Sequence, residues 1–187
     1  LSPNYKLRPC GLIALDMARI EAGLVQIDAE FISAKRTLFD VQKISPLELG
    51  LGWMCKLDAD YFVGRDALRR EEENGTSRWN TVGAELDVTY IEKYYREFKM
   101  PLHLPEQPWT EAVPIYSDEP QENLIGRGTS GMWSPLLKKY IVITRIQPQY
   151  AKLGSRLWIE EVIEAKTYSI PATVVKMPFF DPPRKKA

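Results

Sequence analysis

The chain contains 187 residues, and its 25 basic and 25 acidic side chains give a formal net charge of zero. This length allows one large or two small domains, and the charge balance argues against a general nucleic-acid-binding protein, which carries a basic excess. Two cysteines are too few for a disulfide scaffold, and no run approaches the roughly 18 apolar residues of a membrane span, so we expect a cytoplasmic protein that contacts no membrane. The chain begins at Leu1 without an initiator Met or the apolar core of a signal peptide, and we expect it to be a piece of a larger protein.

The first predicted element is a helix over Gly11–Leu24, with the sequence GLIALDMARIEAGL. Apolar residues recur in this segment at spacings of four, three and four, which forms one stripe along a helix: Ile13, Met17, Ile20 and Leu24. Further apolar residues widen the stripe, so we expect most of the helix to be buried. Gly23 is suited to its end, because glycine is frequent just past a helix C-terminus.

Two charged residues interrupt this apolar segment. Asp16 and Arg19 are three residues apart, so they share a helix face and can pair. A buried arginine needs an anionic partner, because burial of an unpaired charge is very costly. Two interpretations stay open: Arg19 pairs with Asp16 for structural reasons, or Arg19 reaches a carboxylate of a ligand.

The next segment mixes loop and short regular elements. Residues 26–39 predict a loop with weak strand character at Glu30–Ile32. The sequence Ser45-Pro46-Leu47-Glu48 has the pattern of a helix start, with serine as the cap, proline at the first position and glutamate completing a capping box. Alternating apolar residues then predict a strand over Leu51–Leu57.

A domain boundary is predicted near residue 78. Arg65–Glu73 predicts a helix, and Gly75 is suited to stop it. Beyond this point the pattern changes to short strands and turns. We therefore divide the chain into a first domain, residues 1–78, and a second domain, residues 79–187.

The second domain predicts an antiparallel β-structure with one helix. The helix covers Thr89–Lys99, with Thr89 and Glu92 as a capping box. Turns are predicted at Gly131–Pro135 and Lys152–Ser155. Short strands separated by turn signals favour a small antiparallel barrel, and hence an α+β fold for the chain. The predicted strands are Val82–Val88, Val113–Tyr116, Leu124–Thr129, Tyr140–Ile146, Arg156–Ile163 and Ile170–Met177.

The residues themselves carry little recognisable chemistry. There is no Cys-x-x-Cys pair, and the only histidine, His103, lies in a proline-rich loop where we expect a surface residue. Gly126-Arg127-Gly128 resembles part of a phosphate loop, but it opens no predicted helix, and we interpret it as a tight strand edge. We predict no metal site and no catalytic residue in this chain.

Five motifs in one order resemble the glycine cleavage T-protein family, the folate-dependent aminomethyltransferases. The first motif, LDMARIEAGL, resembles the family's Arg-(Leu/Ile)-Glu-Ala-Gly helix. The resemblance spans Pro9 to Pro182. The other motifs, in chain order, are Ser45–Glu48 with Leu51-Gly52-Trp53, residues 61–65, Gly126 with residues 129–135, and Met177-Pro178-Phe179.

This resemblance implies a fold and an activity. Residues 1–78 would be the end of a folate-binding sheet-and-helix domain, and residues 79–187 the family's C-terminal β-barrel domain. The activity would be transfer of a one-carbon unit from an aminomethyl donor, carried on a lipoyl protein in glycine cleavage, to the cofactor tetrahydrofolate. Arg19 matches the family's arginine that contacts the folate glutamyl tail, which would make it cofactor-binding; a guanidinium suits a carboxylate.

The family's catalytic aspartate and pterin-binding glutamate belong to the half that precedes the Arg19 helix. The resemblance therefore implies a partner, the N-terminal half, in the same protein or in a partner chain. It also implies that this chain alone lacks activity. Asp16 does not match the catalytic aspartate.

The sequence also departs from the glycine cleavage pattern. Residues 26–30, QIDAE, stand where the family often has Tyr-Gly-x-Asp. The ending at residues 178–182 is similar to T-protein-like domains of dimethylglycine and sarcosine dehydrogenases, and the Thr89–Lys99 insertion is similar to T-protein-like demethylases. Three hypotheses follow: an aminomethyltransferase, a tetrahydrofolate-dependent demethylase of an O-, S- or N-methyl substrate, or a non-catalytic paralogue. The location would be the cytoplasm, or the mitochondrial matrix in a eukaryote.

Overall fold

A computed structural model describes residues 9–119 and 122–183. Its largest feature is a barrel of antiparallel strands, which are β1 (Asn80–Leu86), β2 (Val113–Tyr116), β3 (Leu124–Ser134), β4 (Lys139–Ile146), β5 (Arg156–Ile163) and β6 (Lys166–Val175). The six strands close in the spatial order β1-β4-β3-β2-β5-β6. The predicted small antiparallel barrel of an α+β fold is therefore confirmed.

Strand β1 closes the barrel because it pairs with β4 on one side and with β6 on the other. Its register with β4 runs from Asn80 opposite Ile146 to Leu86 opposite Tyr140. Full burial of one large aliphatic side chain contributes about 1.5–3 kcal/mol, so the interior holds the strands together. The fully buried aliphatic residues include Ile115, Ile125, Ile146, Leu157, Ile159 and Ile170.

Strand β3 continues through most of the segment for which the sequence predicted a turn, Gly131–Pro135, and the turn lies instead at residues 135–138. Gly131 pairs with Val142 of β4, and it exchanges backbone hydrogen bonds of 2.9 and 3.0 Å with Trp109. A Cβ atom on Gly131 would lie 2.2 Å from Cζ2 of Trp109. This glycine is needed for close approach of an indole ring rather than for a turn. The other predicted turn, Lys152–Ser155, is confirmed.

The helix predicted at Thr89–Lys99 is confirmed as α3, Val88–Glu97, but its cap is not the predicted one. Asp87 is the N-cap residue, and its Oδ1 atom accepts hydrogen bonds from the backbone N (3.1 Å) and Oγ1 (2.6 Å) of Thr89. Aspartate is as good an N-cap residue as threonine, so the helix begins earlier than predicted. The buried Ile91 packs α3 onto the barrel.

The segment before the barrel is helical and irregular. The predicted strand over Leu51–Leu57 is wrong, because the hydrogen bond from Met54 N to Leu51 O (2.9 Å) closes a local helical turn. A strand needs a neighbour, and no strand lies within described residues 9–78. The predicted second helix is confirmed and ends at Gly75, which has φ +59°. The elements are α1 (Leu12–Glu21), α2 (Arg65–Asn74) and 3-10 helices at Asp40–Gln42 and Gly52–Met54.

The predicted capping box is confirmed, and it joins this segment to the barrel. Ser45 N donates to Oε2 of Glu48, and Glu48 N donates to Oγ of Ser45, both at 3.1 Å. The carbonyl oxygen of Glu48 accepts from N (3.0 Å) and Oγ1 (2.8 Å) of Thr81 in β1. Arg78 N donates to the other carboxylate oxygen of Glu48 at 2.8 Å. One glutamate therefore fixes both the turn and its position beside β1.

Helix α1 lies against the outside of the barrel along one edge only. Ile20 is fully buried, but Leu12 and Leu15 are 83% and 60% exposed. The expectation that most of this helix is buried is therefore wrong for the described chain. Polar contacts of Arg19 and Glu21 with β3 fix the rotation of the helix, so its wider apolar side faces outward. Among the described helices, none is long and apolar enough to cross a membrane.

Candidate functional site

Residues 19–23, the Arg-Ile-Glu-Ala-Gly motif, attach α1 to the barrel. Ile20 packs in a cluster with Met132, Ile141 and Ile143 of β3 and β4. Glu21 accepts a 2.5 Å hydrogen bond from Ser134 Oγ. The next turn also needs its glycine, because the left-handed Gly23 (φ +64°) has space for no side chain: a Cβ atom there would lie 3.1 Å from Met177 Cβ and 3.3 Å from Pro178 Cα. Ile20, Glu21 and Gly23 of the Arg-Ile-Glu-Ala-Gly motif therefore each make a contact that explains the residue type at that position.

Arg19 occupies the junction between α1 and β3, and it is 9% exposed. Its Nε atom lies 2.5 Å from Asp16 Oδ1, so the pair inferred from the three-residue spacing is present. Its Nη2 atom donates to Ser130 Oγ at 2.8 Å. A third partner, Glu30, lies 3.0 and 3.1 Å from Nη1 through its two carboxylate oxygens. Each nitrogen atom of the Arg19 guanidinium therefore donates at least one hydrogen bond.

Glu30 is the acidic centre of this junction and is 1% exposed. Besides Arg19, its carboxylate accepts from Gln26 N at 2.7 Å and from Ser130 Oγ at 2.5 Å, and Thr129 Oγ1 lies 3.2 Å away. A buried carboxylate is tolerated when it is paired and hydrogen-bonded in this way. The weak strand predicted near this residue reduces to an isolated bridge between Ile27 and Phe31.

Sequence reasoning missed Glu30 and Ser130 as partners of Arg19. Glu30 lies 11 residues and Ser130 lies 111 residues along the chain from Arg19. Helical spacing identifies Asp16, but it carries no information about residues in a following loop or in a distant strand. The sequence offered one indication of these partners: Glu30 is the only glutamate between residues 22 and 47, and the Thr129-Ser130-Gly131 motif supplies hydroxyl groups.

A surface pocket of about 630 Å³ opens beside this junction. Arg19 and Asp16 supply its charged groups, and one Nη2 hydrogen of Arg19 has no partner among the described residues. The arrangement can donate one hydrogen bond to an anionic ligand, whereas a two-pronged contact requires displacement of Asp16 or Ser130. The apolar lining consists of Leu12, Ile13, Leu15, Leu24, Val25 and Pro108.

A second polar group lies on another wall of the barrel, around Tyr140. Trp109 Nε1 donates to the hydroxyl of Tyr140 at 2.9 Å, and that hydroxyl donates to Glu161 Oε2 at 3.3 Å. Burial raises the pKa of the Glu161 carboxyl above its ordinary value, and the Tyr140 hydrogen bond opposes the rise. Burial and the neighbouring Glu161 carboxylate raise the pKa of Tyr140, so the phenol stays protonated. These groups line a separate pocket of about 370 Å³.

The remaining residues considered from sequence lie apart from both pockets. His103 is exposed, as predicted. Gly126, Arg127 and Gly128 lie in β3, and the interpretation of this segment as a tight strand is confirmed. A Cβ atom on Gly126 would lie 2.2 Å from the carbonyl oxygen of Arg145.

Comparison with protein families gives a match over residues 97–181 to the glycine cleavage T-protein C-terminal barrel domain. An aminomethyltransferase of Synechococcus elongatus is 35% identical over 92% of this chain, and that of Caldanaerobacter subterraneus subsp. tengcongensis is 32% identical over 98%. The match covers 37% and 40% of those relatives, so the chain spans about two fifths of their length.

A solved structure has a similar fold over most of this chain. Glycine cleavage system aminomethyltransferase T from Bartonella henselae matches with a TM-score of 0.64 and 18% sequence identity, over 89% of this chain and 38% of that one. At this identity the likeness concerns the fold. The barrel-domain match places residues 97–181 in the glycine cleavage T-protein family as its C-terminal barrel domain, and the aminomethyltransferase relatives are similar to this chain along most of its length.

Proposed function

We propose that this chain is the C-terminal part of a tetrahydrofolate-dependent aminomethyltransferase. The observation that carries the proposal is the similarity along the chain, since relatives named aminomethyltransferase match 92% and 98% of it. In this proposal an aminomethyl group is the donor, presented on a lipoyl carrier protein, and tetrahydrofolate accepts the one-carbon unit. No residue of this chain is assigned a catalytic role.

We assign a cofactor-binding role to Arg19. The pocket of about 630 Å³ beside it supports this assignment, because its walls are mostly apolar and its charged groups lie together. The hydrogen of Nη2 that lacks a described partner is suited to one oxygen of a glutamyl carboxylate. When bound, tetrahydrofolate supplies the nitrogen that receives the one-carbon unit, and Arg19 would hold its tail.

The chain spans about two fifths of its relatives, so we propose that it works together with the portion that the relatives carry outside the match. The outward side of α1 supports such an arrangement, because Leu12 and Leu15 are exposed there. The catalytic aspartate and the pterin-binding glutamate would belong to that other portion, in the same polypeptide or in a partner chain.

One experiment compares this chain with a longer polypeptide that also carries the portion outside the match. Transfer of a one-carbon unit to tetrahydrofolate is measured with aminomethylated lipoyl protein and, separately, with N-, O- and S-methyl compounds. We expect turnover by the longer polypeptide with the aminomethyl donor and none by the 187-residue chain alone. Comparable turnover by the short chain would contradict the proposal that the catalytic residues belong to the portion outside the match. Turnover with a methyl donor alone would favour a demethylase, and folate binding without turnover a non-catalytic paralogue.

A second experiment tests Arg19 by calorimetry of 5-formyltetrahydrofolate binding to the longer polypeptide. Arg19→Lys should weaken binding roughly ten- to a hundredfold, the scale of one lost hydrogen bond to a charged group. A pterin analogue without glutamate should bind both proteins equally. Arg36→Lys is the matched control, because Arg36 pairs with the exposed Asp28 in the loop that carries Glu30. Unchanged folate affinity in a folded Arg19→Lys protein would rule out the ligand role.

A further inference from the structure

Two arginines face each other on the outer surface of the barrel. Arg127 of β3 and Arg145 of β4 are directly opposite in the antiparallel register. Side chains at opposed positions leave the sheet on the same face, and like charges in such a pair destabilise it. Arg127 is exposed and Arg145 is half-buried, so water solvates part of this charge, and a bound anion would relieve the remaining repulsion.

The described residues provide little compensation. Arg145 Nη1 donates to the carbonyl oxygen of Glu30 at 3.3 Å, and its guanidinium carbon lies 5.8 Å from the centroid of the Trp79 ring. No carboxylate among the described residues forms an ion pair with either arginine, and the guanidinium of Arg127 forms no hydrogen bond with any of these residues. Burial lowers the pKa of the Arg127 guanidinium, as expected for a cation that is partly removed from water without a partner.

The two arginines share a pocket of about 320 Å³ whose other walls carry no acidic side chain. Trp79 forms an aromatic wall, and Pro114 and Leu124 form apolar ones. Gly126 allows the strands to lie close at its base, since a Cβ atom there would meet the backbone of Arg145 at 2.2 Å. A pocket of this volume is at the small end of the ligand-binding range.

We propose that this pocket, the Trp79–Arg127–Arg145 pocket, binds a small organic anion in which a carboxylate or phosphate group adjoins an apolar moiety. The oxyanion lies between the two guanidinium groups, which suit carboxylate and phosphate equally well. The apolar moiety lies against Trp79 and Leu124. Arg145 is held in place by Trp79 and the Glu30 carbonyl, while Arg127 closes on the ligand. The site is separate from the Arg19 pocket and does not depend on the proposed folate function.

The experiment titrates the 187-residue chain with benzoate, phenyl phosphate, benzamide and inorganic phosphate by calorimetry. We expect benzoate or phenyl phosphate to bind, with the preference between them identifying the oxyanion, and the neutral benzamide not to bind. Inorganic phosphate should bind at least tenfold more weakly than phenyl phosphate. Equal affinity for benzamide and benzoate, or for the two phosphates, would overturn the proposal.

Two variants localise the binding. Arg127→Gln and Arg145→Gln should each weaken the binding of the preferred anion roughly ten- to a hundredfold, which is the range for a lost hydrogen bond to a charged group. Arg96→Gln removes the same charge from the surface of α3, where Arg96 pairs with Glu92, and should leave the affinity unchanged. Equal affinity of Arg127→Gln and the unsubstituted chain would disprove the site.

Thermal melting distinguishes a ligand site from a structural role of Arg127. Without ligand, Arg127→Gln should melt at the same or a higher temperature, because it relieves repulsion from Arg145. The preferred anion should raise the melting temperature of the unsubstituted chain and not that of Arg127→Gln. A fall in melting temperature without ligand would show that Arg127 has an intramolecular role and would overturn the proposal.

Discussion

Arg19 and Glu30 form a buried ion pair in which one guanidinium nitrogen, Nη1, lies 3.0 and 3.1 Å from the two carboxylate oxygens. Ser130 hydrogen-bonds to both members of the pair, so α1, the following loop and β3 meet at one point. The sequence analysis identified the Arg19 helix and Thr129-Ser130-Gly131 as separate motifs. In the fold the two motifs contact each other through Arg19 and Ser130. These contacts leave one Nη2 hydrogen of Arg19 for a ligand.

The first prediction concerns this buried pair. Arg19→Ala should lower the free energy of unfolding by about 3–5 kcal/mol, because it leaves the carboxylate of Glu30 buried without its charged partner. Urea denaturation measures the change. Arg36→Ala is the control: its partner Asp28 is 52% exposed, and removal of such a surface pair should cost less than about 1 kcal/mol. Similar losses in both variants would mean that the Arg19 pair does not stabilise the fold.

The second prediction concerns how α1 contacts the barrel. Ile20→Ala should destabilise the chain by about 2–5 kcal/mol, because a fully buried side chain is removed from its cluster with Met132. Leu12→Ala should change stability by less than about 0.5 kcal/mol, because Leu12 lies on the outward side of the helix. Thermal or urea unfolding of the two variants checks the orientation, which a reversed ranking would contradict.

A third prediction follows from the packing of Trp109. Gly131→Ala places a Cβ atom 2.2 Å from the indole, which must move and weaken its hydrogen bond to Tyr140. We expect a loss of about 1–3 kcal/mol, the usual cost of overpacking, and a change in tryptophan fluorescence. Gly11→Ala is the control, because a Cβ atom there meets nothing within 4 Å; as a helix-cap change it should cost less than about 1 kcal/mol. An unchanged fluorescence spectrum in a stable Gly131→Ala protein would contradict this packing.

The fourth prediction concerns pH. The pKa of Glu161 is raised in the folded chain, so folding favours its protonated form, and its contribution to stability is lost as the pH rises from about its ordinary value of 4.5 through the raised value. Glu161→Gln should therefore become progressively more stable relative to the unsubstituted chain over that pH range. Unfolding free energies measured from pH 4 upward, in steps of about one unit, test the sign.

Tyr140→Phe provides the companion variant. It removes the hydrogen bond that opposes the rise in the Glu161 pKa, so the loss of stability should extend to higher pH. A stability difference between Glu161→Gln and the unsubstituted chain that is the same at every pH would show that burial does not perturb this carboxyl.

Local elements of this protein were predictable from sequence because their signals are local. Strands β2 and β5 have the predicted bounds, since short apolar runs bounded by turn residues identify them. The capping box at Ser45 and Glu48 forms as its spacing predicts. The prediction failed at Gly131, where glycine signals either a turn or the close approach of another group, and only the position of Trp109 distinguishes the two.

The sequence by itself determined the barrel class, the helices and, through its motifs, the family. Only the tertiary structure decided which side of α1 faces the barrel and that Glu30 and Ser130 complete the surroundings of Arg19. Helical periodicity relates residues a few positions apart, and it cannot relate a helix to a strand more than a hundred residues away. The position of Glu30 depends on the path of the loop that packs against β3. Because burial of an unpaired carboxylate is costly, the folded chain places Glu30 beside the Arg19 guanidinium and the Ser130 hydroxyl.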